Sequence, residues 1–423
     1  MRTHLPNGTA ASRARPWRAA WLSRWLDVSA LVLIACVLVE CLWRPSTQPP
    51  MLAPLLAVPP ALAAIGAATV RRPLVYGAIS LLAGVVVAAK PTVYATWLPD
   101  ATMLTVVIIT AVATAGTAVS LRQERRLAEV TSVAEAAQRA LLRPLPARLG
   151  PLGLDVVYIA AAAEATVGGD LYEAVATRDH GIRVIMGDVR GKGLGAVELA
   201  ADVLGMFRGL AHDASTLAEL ATHLDAGLRR DLGRHEEFVT AVLVEIDQES
   251  GLTTVFNCGH PSPLLIEAPV PGAPVTEAQR RNAAGTRVIS VDVPQAAPPL
   301  GLLALGDCSA AYRSIALGKE DQLLLYTDGV TEARDARREF YPLSERVGAL
   351  AAKAATQAPA RALLASMPGS GATRQGGLLD LVHADLLKHT GAPLNDDAAL
   401  LLVRAPVTWP APLTAVPSAR VSA

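Results

Sequence analysis

Apolar positions crowd into the first 120 residues as four runs, roughly 29–43, 51–70, 73–89 and 101–120. None shows a polar face, which argues for membrane-spanning helices and against a packed soluble bundle. Pro54, Pro59 and Pro60 fall in the second run, where a helix in lipid tolerates them better than one in water. A cleaved signal peptide competes for the first run, but three more runs follow it and no clear small-residue cleavage site does. At 121–145 the pattern changes to a charged helix with Leu127, Val130, Ala134, Ala137 and Leu141 at alternating spacings of three and four. Two heptads with an alanine-rich seam suit a solvated connector as well as a coiled coil, which leaves a homodimer through this helix open. Pro144 and Pro146 end it.

From 154 onward short apolar runs read as strands: 154–159, 182–186, 239–246, 253–257, 264–266, 323–326 and 398–403. Helical patterns cover 194–212, 215–231, 343–356, 358–366 and 377–389. Strands and helices come in groups rather than in strict alternation, so the prediction is an α+β fold. Residues 268–299 read as a variable Pro-, Ala- and Gly-rich loop, and 405–423 as a disordered tail. The expected division is a basic N-terminus (1–28), four transmembrane helices (29–120), a helical connector (121–149), a folded domain (150–404) and the tail.

Charge refines the orientation. The N-terminus, the Arg71-Arg72 turn and Arg122, Arg125 and Arg126 are basic, whereas 91–100 carries no Lys or Arg. The positive-inside rule then places both termini, and with them the C-terminal domain, in the cytoplasm of a multi-pass plasma or inner-membrane protein. Lys plus Arg equals Asp plus Glu at 38 each, which leaves no basic field for nucleic acid and disfavours a metal-dependent nuclease. Four scattered cysteines build no disulfide framework.

Candidate chemistry rests on isolated acids beside apolar or Gly-rich sequence: Asp170 in Gly168-Gly169-Asp170, Asp188 at the expected end of the strand 182–186, Asp328 in Thr327-Asp328-Gly329 and Asp396 in Asn395-Asp396-Asp397. Such carboxylates are costly unless compensated, and hard divalent cations that prefer oxygen ligands can do so. Satisfied turn aspartates are the plainer reading of the same residues.

The motifs Val167-Gly168-Gly169-Asp170-Leu171-Tyr172, Gly187-Asp188-Val189-Arg190-Gly191-Lys192-Gly193, Cys258-Gly259-His260-Pro261, Pro299-Leu300-Gly301-Leu302, Leu325-Tyr326-Thr327-Asp328-Gly329 and Asp396-Asp397-Ala398-Ala399 stand in one order across about 150–404. Together they resemble the bacterial SpoIIE-type branch of the metal-dependent type 2C protein phosphatases. The segment Gln138 to Pro146 is similar to the one that precedes such domains. The resemblance implies an αββα sandwich with two Mn²⁺ or Mg²⁺ ions between the sheets. Asp188 would bridge both ions, the Val189 carbonyl would help hold one, Asp328 and Asp396 would complete a site, and Asp170 would act through metal-bound water. A bridging water would attack phosphoserine or phosphothreonine in line, on a phosphorylated anti-anti-sigma-like partner. The alternative from another class is a non-catalytic membrane scaffold that keeps the fold. Asp397 reads as a hydrogen-bonding support of the metal site, His260 as a structural turn residue rather than a proton donor, and Lys192 as either a phosphate contact or a solvated lysine. Glu198 and Glu332 read as surface residues. Arg190 departs from the small residue that many relatives carry. No arginine matches the phosphate clamp of eukaryotic relatives.

Overall fold

A computed structural model describes residues 16–44, 51–89, 98–161, 168–232, 237–268, 286–309, 311–365, 377–394 and 396–409. The chain forms two compact units that divide between Ser132 and Val133.

α1 (Pro16–Trp43), α3 (Arg71–Ala88) and α4 (Leu98–Leu141, whose last nine residues belong to the second unit) each contain, within the first unit, a stretch long and apolar enough to cross a membrane: Arg24–Trp43, Arg71–Ala88 and Asp100–Arg126. The second expected span differs. It folds as a 3-10 turn (Ala53–Ala57) followed by α2 (Val58–Ala64), an apolar helical stretch of Ala53–Ala64. The prolines explain the break: Pro54 opens the 3-10 turn and Pro59-Pro60 open α2, where missing N–H groups cost least. Twelve residues rise about 18 Å as an α-helix, short of the roughly 30 Å of hydrocarbon.

Ion pairs set the helix directions. Arg72, in the first turn of α3, lies 2.6 Å from Asp27 near the start of the apolar stretch Arg24–Trp43 of α1, and the Tyr76 hydroxyl donates to the same carboxylate at 2.9 Å. Toward the other end of α1, the Glu40 carboxylate accepts from the Met51 and Leu52 amides at 2.9 and 2.8 Å. The start of α3 therefore lies beside the start of the apolar stretch of α1, and the chain between them travels back along α1 through the 3-10 turn and α2. The side chains of Leu127, Val130, Ala134 and Ala137, the residues 1–15 and the segment 90–97 lie outside the described part, so the seam, the far basic N-terminus and the expected outer loop stand as sequence readings.

The second unit is a four-layer sandwich. One antiparallel sheet has the order β1-β2-β11-β10-β7-β8, built from Arg148–Leu149, Leu152–Ile159, Ala398–Arg404, Gln322–Tyr326, Leu264–Glu267 and Arg287–Ser290. The other has the order β3-β4-β5-β6-β9, built from Leu171–Ala176, Ile182–Val189, Val239–Ile246, Leu252–Cys258 and Tyr312–Ala316. α5 (Leu194–Asp213) and α6 (Leu217–Leu232) pack with the second sheet, and α8 (Leu343–Ala365) and α9 (Leu378–Thr390) with the first. A single turn, α7 (Asp328–Thr331), follows β10.

The period of two along β10 and β11 creates these layers. Leu323, Leu325, Ala399, Leu401 and Val403 join the core between the sheets, while Leu324, Tyr326, Ala398, Leu400 and Leu402 join the core under α8 and α9. Covering both faces is why these strands read as unbroken apolar runs. On α5, Ala196, Leu199, Ala200, Val203, Leu204, Phe207 and Ala211 follow the helical period into the inter-layer core. Arg183, fully buried on β4, pairs with Glu245 at 2.6 Å and donates to the carbonyls of Ala211 and Ala214 at 2.9 and 2.6 Å. It thereby satisfies carbonyls at the C-terminal end of α5 that lack helical partners.

Several expected boundaries move. The strand expected at 182–186 runs on to Val189, pairing Asp188 with Thr240 and Val189 with Val239. The helices expected at 343–356 and 358–366 are one, α8, which continues through Pro359. Within the expected loop 268–299, β8 pairs with β7, and Val291 and Ala297 are buried; 269–285 lie outside the described residues. The tail begins as packed chain: Ala405 and Trp409 are buried and the Trp409 indole donates to the Gln248 carbonyl at 3.0 Å, whereas 410–423 lie outside the described residues.

Candidate metal centre

Strand ends and turns deliver the four candidate aspartates to one end of the sandwich. Asp188 sits on β4, Asp170 immediately before its neighbour β3, Asp328 immediately after β10 and Asp396 just before β11. β4 and β5 hold Asp188 through paired backbone, and the Thr240 hydroxyl donates to the Asp188 carbonyl at 3.3 Å. After β4 the chain turns through Gly193, whose φ of 91° a side chain would disfavour, and enters α5. The Val189 amide donates to the Gly169 carbonyl at 3.3 Å, which ties the Asp170 turn to the Asp188 strand.

Asp170 is buried. The Thr327 hydroxyl donates to its carboxylate at 2.9 Å and accepts the Ala399 amide at 2.9 Å, so one threonine links three of the converging segments. Burial raises the Asp170 pKa well above the carboxylate range, and Asp188 and Asp397 raise it further. Half-buried Asp188 is pushed up to about 7, first by burial and then by Asp328 and Asp396. Asp328, on the rim, is raised by partial burial, then by Glu332 and Asp396. Carboxylates from distant parts of the chain thus sit close enough to oppose one another's ionisation.

Asp397 is a structural hub. It is buried, accepts the amides of Gly168 and Ala161 at 3.0 and 2.7 Å, and accepts the Tyr158 hydroxyl. Burial and the Asp397 charge keep Tyr158 protonated far above ordinary phenol behaviour. Lys192 reaches Asp396 at 3.0 Å. The Arg190 guanidinium lies 5.2 Å from the centre of the Phe238 ring. His260 is buried in the Asn257–His260 turn, its Nδ1 3.1 Å from the Thr240 hydroxyl, and burial pushes it down to about 3. It therefore stays neutral, which suits a structural role. Glu198 and Glu332 are exposed.

Among the described residues, no three His, Cys, Asp or Glu side chains converge tightly enough to form a ready-made metal cage. The donor chemistry nevertheless fits a hard cation: several carboxylates, raised first by burial and then by one another, face a site where Lys192 supplies a cation to Asp396. Asp188, Asp328 and Asp396, with the Val189 carbonyl, could hold divalent ions, and Asp170 could orient water beside them. Sequence reading passed over Thr327, Thr240 and Tyr158, because hydroxyls become informative only once their partners are known.

The family described as stage II sporulation protein E (SpoIIE) matches residues 178–406, more than half of the chain. Among solved structures, the RsbU and RsbW domains of a Mycobacterium tuberculosis protein are similar at 24% identity, covering 61% of this chain and 61% of that one, with a TM-score of 0.43. The SiaA-PP2C domain of Pseudomonas aeruginosa is 19% identical over 67% of this chain and 98% of that one, with a TM-score of 0.46. RsbX in complex with magnesium is 12% identical over 61% of this chain and 96% of that one, with a TM-score of 0.40. The chain spans about three fifths of the length of the first of these.

Proposed function

From a chain that belongs to the SpoIIE family, we propose a membrane-anchored, metal-dependent phosphatase that hydrolyses phosphoserine or phosphothreonine on a phosphorylated anti-anti-sigma-like protein. The observation that carries the reading is the meeting of Asp170, Asp188, Asp328 and Asp396, with Asp188 pushed up to about 7 by burial and its acidic neighbours. Fixing like charges together has a structural cost that a bound divalent cation would offset.

Asp188, Asp328 and Asp396 would hold Mn²⁺ or Mg²⁺ ions, two by family resemblance, with the Val189 carbonyl. Such ions supply a water of lowered pKa and screen the phosphoryl charge. The protein's own part is positional. Thr327 orients Asp170, the β4–β5 pairing fixes Asp188, and Asp397 fixes the turn before Asp170. Lys192, beside Asp396, is placed at the rim where a phosphate would arrive.

Phosphate release from a phosphoserine peptide should require millimolar Mn²⁺ or Mg²⁺, stop with EDTA and survive thiol-blocking reagents. Cys258 is buried with its thiol pushed up by burial, and Cys308 is raised for the same first reason, so neither offers a ready thiolate. Activity lost on alkylation but indifferent to EDTA would sink the reading. Absence of release with every metal tested would favour the scaffold.

For the membrane part, three helices are long enough to cross, and the parallel setting of α1 and α3 needs the chain between them to return; the proposed topology therefore keeps both termini and the phosphatase domain cytoplasmic, with 51–70 as a short return rather than a full-length span. A reporter fused after Ala423 should be active in its cytoplasmic form. A reporter active only outside the membrane would reverse the topology.

A further inference from the structure

Gln138 lies three residues before the end of α4, the same helix that carries the apolar stretch Asp100–Arg126. Its side chain is 8% exposed. Its Nε2 donates to the Tyr158 hydroxyl at 2.7 Å and to the Gly168 carbonyl at 3.0 Å, which uses both amide hydrogens. Tyr158 in turn donates to Asp397, and Asp397 accepts the Gly168 amide at 3.0 Å. The four residues close a ring: Gln138, Tyr158, Asp397, Gly168 and back to Gln138. Both backbone polar groups of Gly168 are held by it, two positions before Asp170. Leu142, one turn beyond Gln138, is buried in the domain core and takes no part in the ring.

We propose that Gln138 is a positioning residue for the carboxylate cluster. It sets the Gly168–Asp170 turn, so the end of α4 determines how well the acids are arranged for a cation. A neutral side chain with two donors and a fixed plane is what the ring needs. An acid would face Asp397 with like charge, and a lysine would lack the planar pair of donors. The inference rests on the phosphatase reading of the site. It places the link between helix α4 and the site in a hydrogen-bonded ring.

The test uses the full-length chain in detergent and follows Mn²⁺ uptake by the loss of the free-ion paramagnetic resonance signal. Removing a residue that orients metal ligands typically weakens metal affinity about 10- to 100-fold. Gln138→Leu, similar in size but without donors, should therefore weaken Mn²⁺ binding about tenfold. Turnover at saturating Mn²⁺ should recover most of its wild-type value, since the ligands themselves remain. Tyr158→Phe should weaken uptake similarly, and the double variant little more, because both break one ring. Leu142→Ala is the structural control: it should lower the melting temperature and leave Mn²⁺ uptake nearly unchanged. Equal uptake by wild type and Gln138→Leu overturns the inference alone. So does a loss in Leu142→Ala as large as that in Gln138→Leu, which would reduce Gln138 to a packing residue. A wild-type protein that takes up no Mn²⁺ overturns the phosphatase reading, and the inference with it.

Discussion

Asp188→Asn is expected to abolish phosphatase turnover, by on the order of a thousandfold or more, while making the metal-free protein more heat-stable above neutral pH. The two effects have one cause. In the fold, burial and the Asp328 and Asp396 charges push Asp188 up to about 7, against an ordinary carboxylate value near 4. Between those values the folded protein binds a proton that the unfolded chain does not. The stability contributed by Asp188 is therefore fully present below about pH 4 and is lost as pH rises through about 7. Asp170 and Asp328 are raised in the same sense. Metal-free wild type should accordingly melt at a higher temperature at pH 5.5 than at pH 8, and Mn²⁺ should erase the deficit by supplying the missing positive charge. Asparagine cannot ionise, so the variant should show a smaller pH difference and no rescue of turnover. Thermal melts at both pH values, with and without Mn²⁺, check this. A variant that melts below wild type at pH 8, or that keeps near-normal turnover, removes Asp188 from the role given to it.

Gly329→Ala is expected to cost about 3 kcal/mol of stability, the upper end for overpacking a closed interior, and to remove activity even at high Mn²⁺. A Cβ on Gly329 would overlap the Asp397 carbonyl oxygen and press on the Ala398 backbone. These are backbone atoms of the segment entering β11, which cannot rotate aside as a flexible side chain could. To fit the methyl group, α7 must move away from β11, and Asp328 moves with it, away from Asp396. Gly205→Ala is the matched comparison: that glycine lies inside α5, and an added Cβ meets nothing within 4 Å. It should be neutral or stabilising by about 0.5–1 kcal/mol through helix propensity. Denaturant unfolding of both variants checks the pair. Wild-type stability in Gly329→Ala would show that the turn is looser than the fold implies.

How much of this was legible in the chain depends on the range of the interaction. Local patterns sufficed for most strands, for the helices over 194–231, and for the order of the six motifs. They sufficed because a period of two or 3.6 is written in neighbouring residues and survives whatever the chain later packs against. β10 and β11 show it plainly: an unbroken apolar run means burial on both faces, and an αββα sandwich supplies both. The four aspartates stood out for the same reason, as isolated charges in apolar surroundings.

What the sequence left open needed partners from elsewhere in the chain. Arg183 reads as a polar interruption of a strand until Glu245 and the carbonyls of Ala211 and Ala214 surround it. Trp409 lies in a stretch whose prolines and small residues read as a tail, yet it packs because the Gln248 carbonyl is there to take its N–H. The second apolar run kept its hydrophobicity but not one continuous helix of spanning length, since prolines decide backbone continuity independently of transfer energy. At the site, sequence named the acids, but only the fold buries Asp188 and brings Asp328 and Asp396 into its field, and so raises its pKa. Gln138 is a related case: its segment resembles the one that precedes such domains, but nothing in the sequence shows that its amide meets Tyr158 and Gly168. Hydrogen-bond geometry and electrostatic coupling depend on distances of a few ångströms between segments far apart in the chain, and those distances are set by tertiary packing alone.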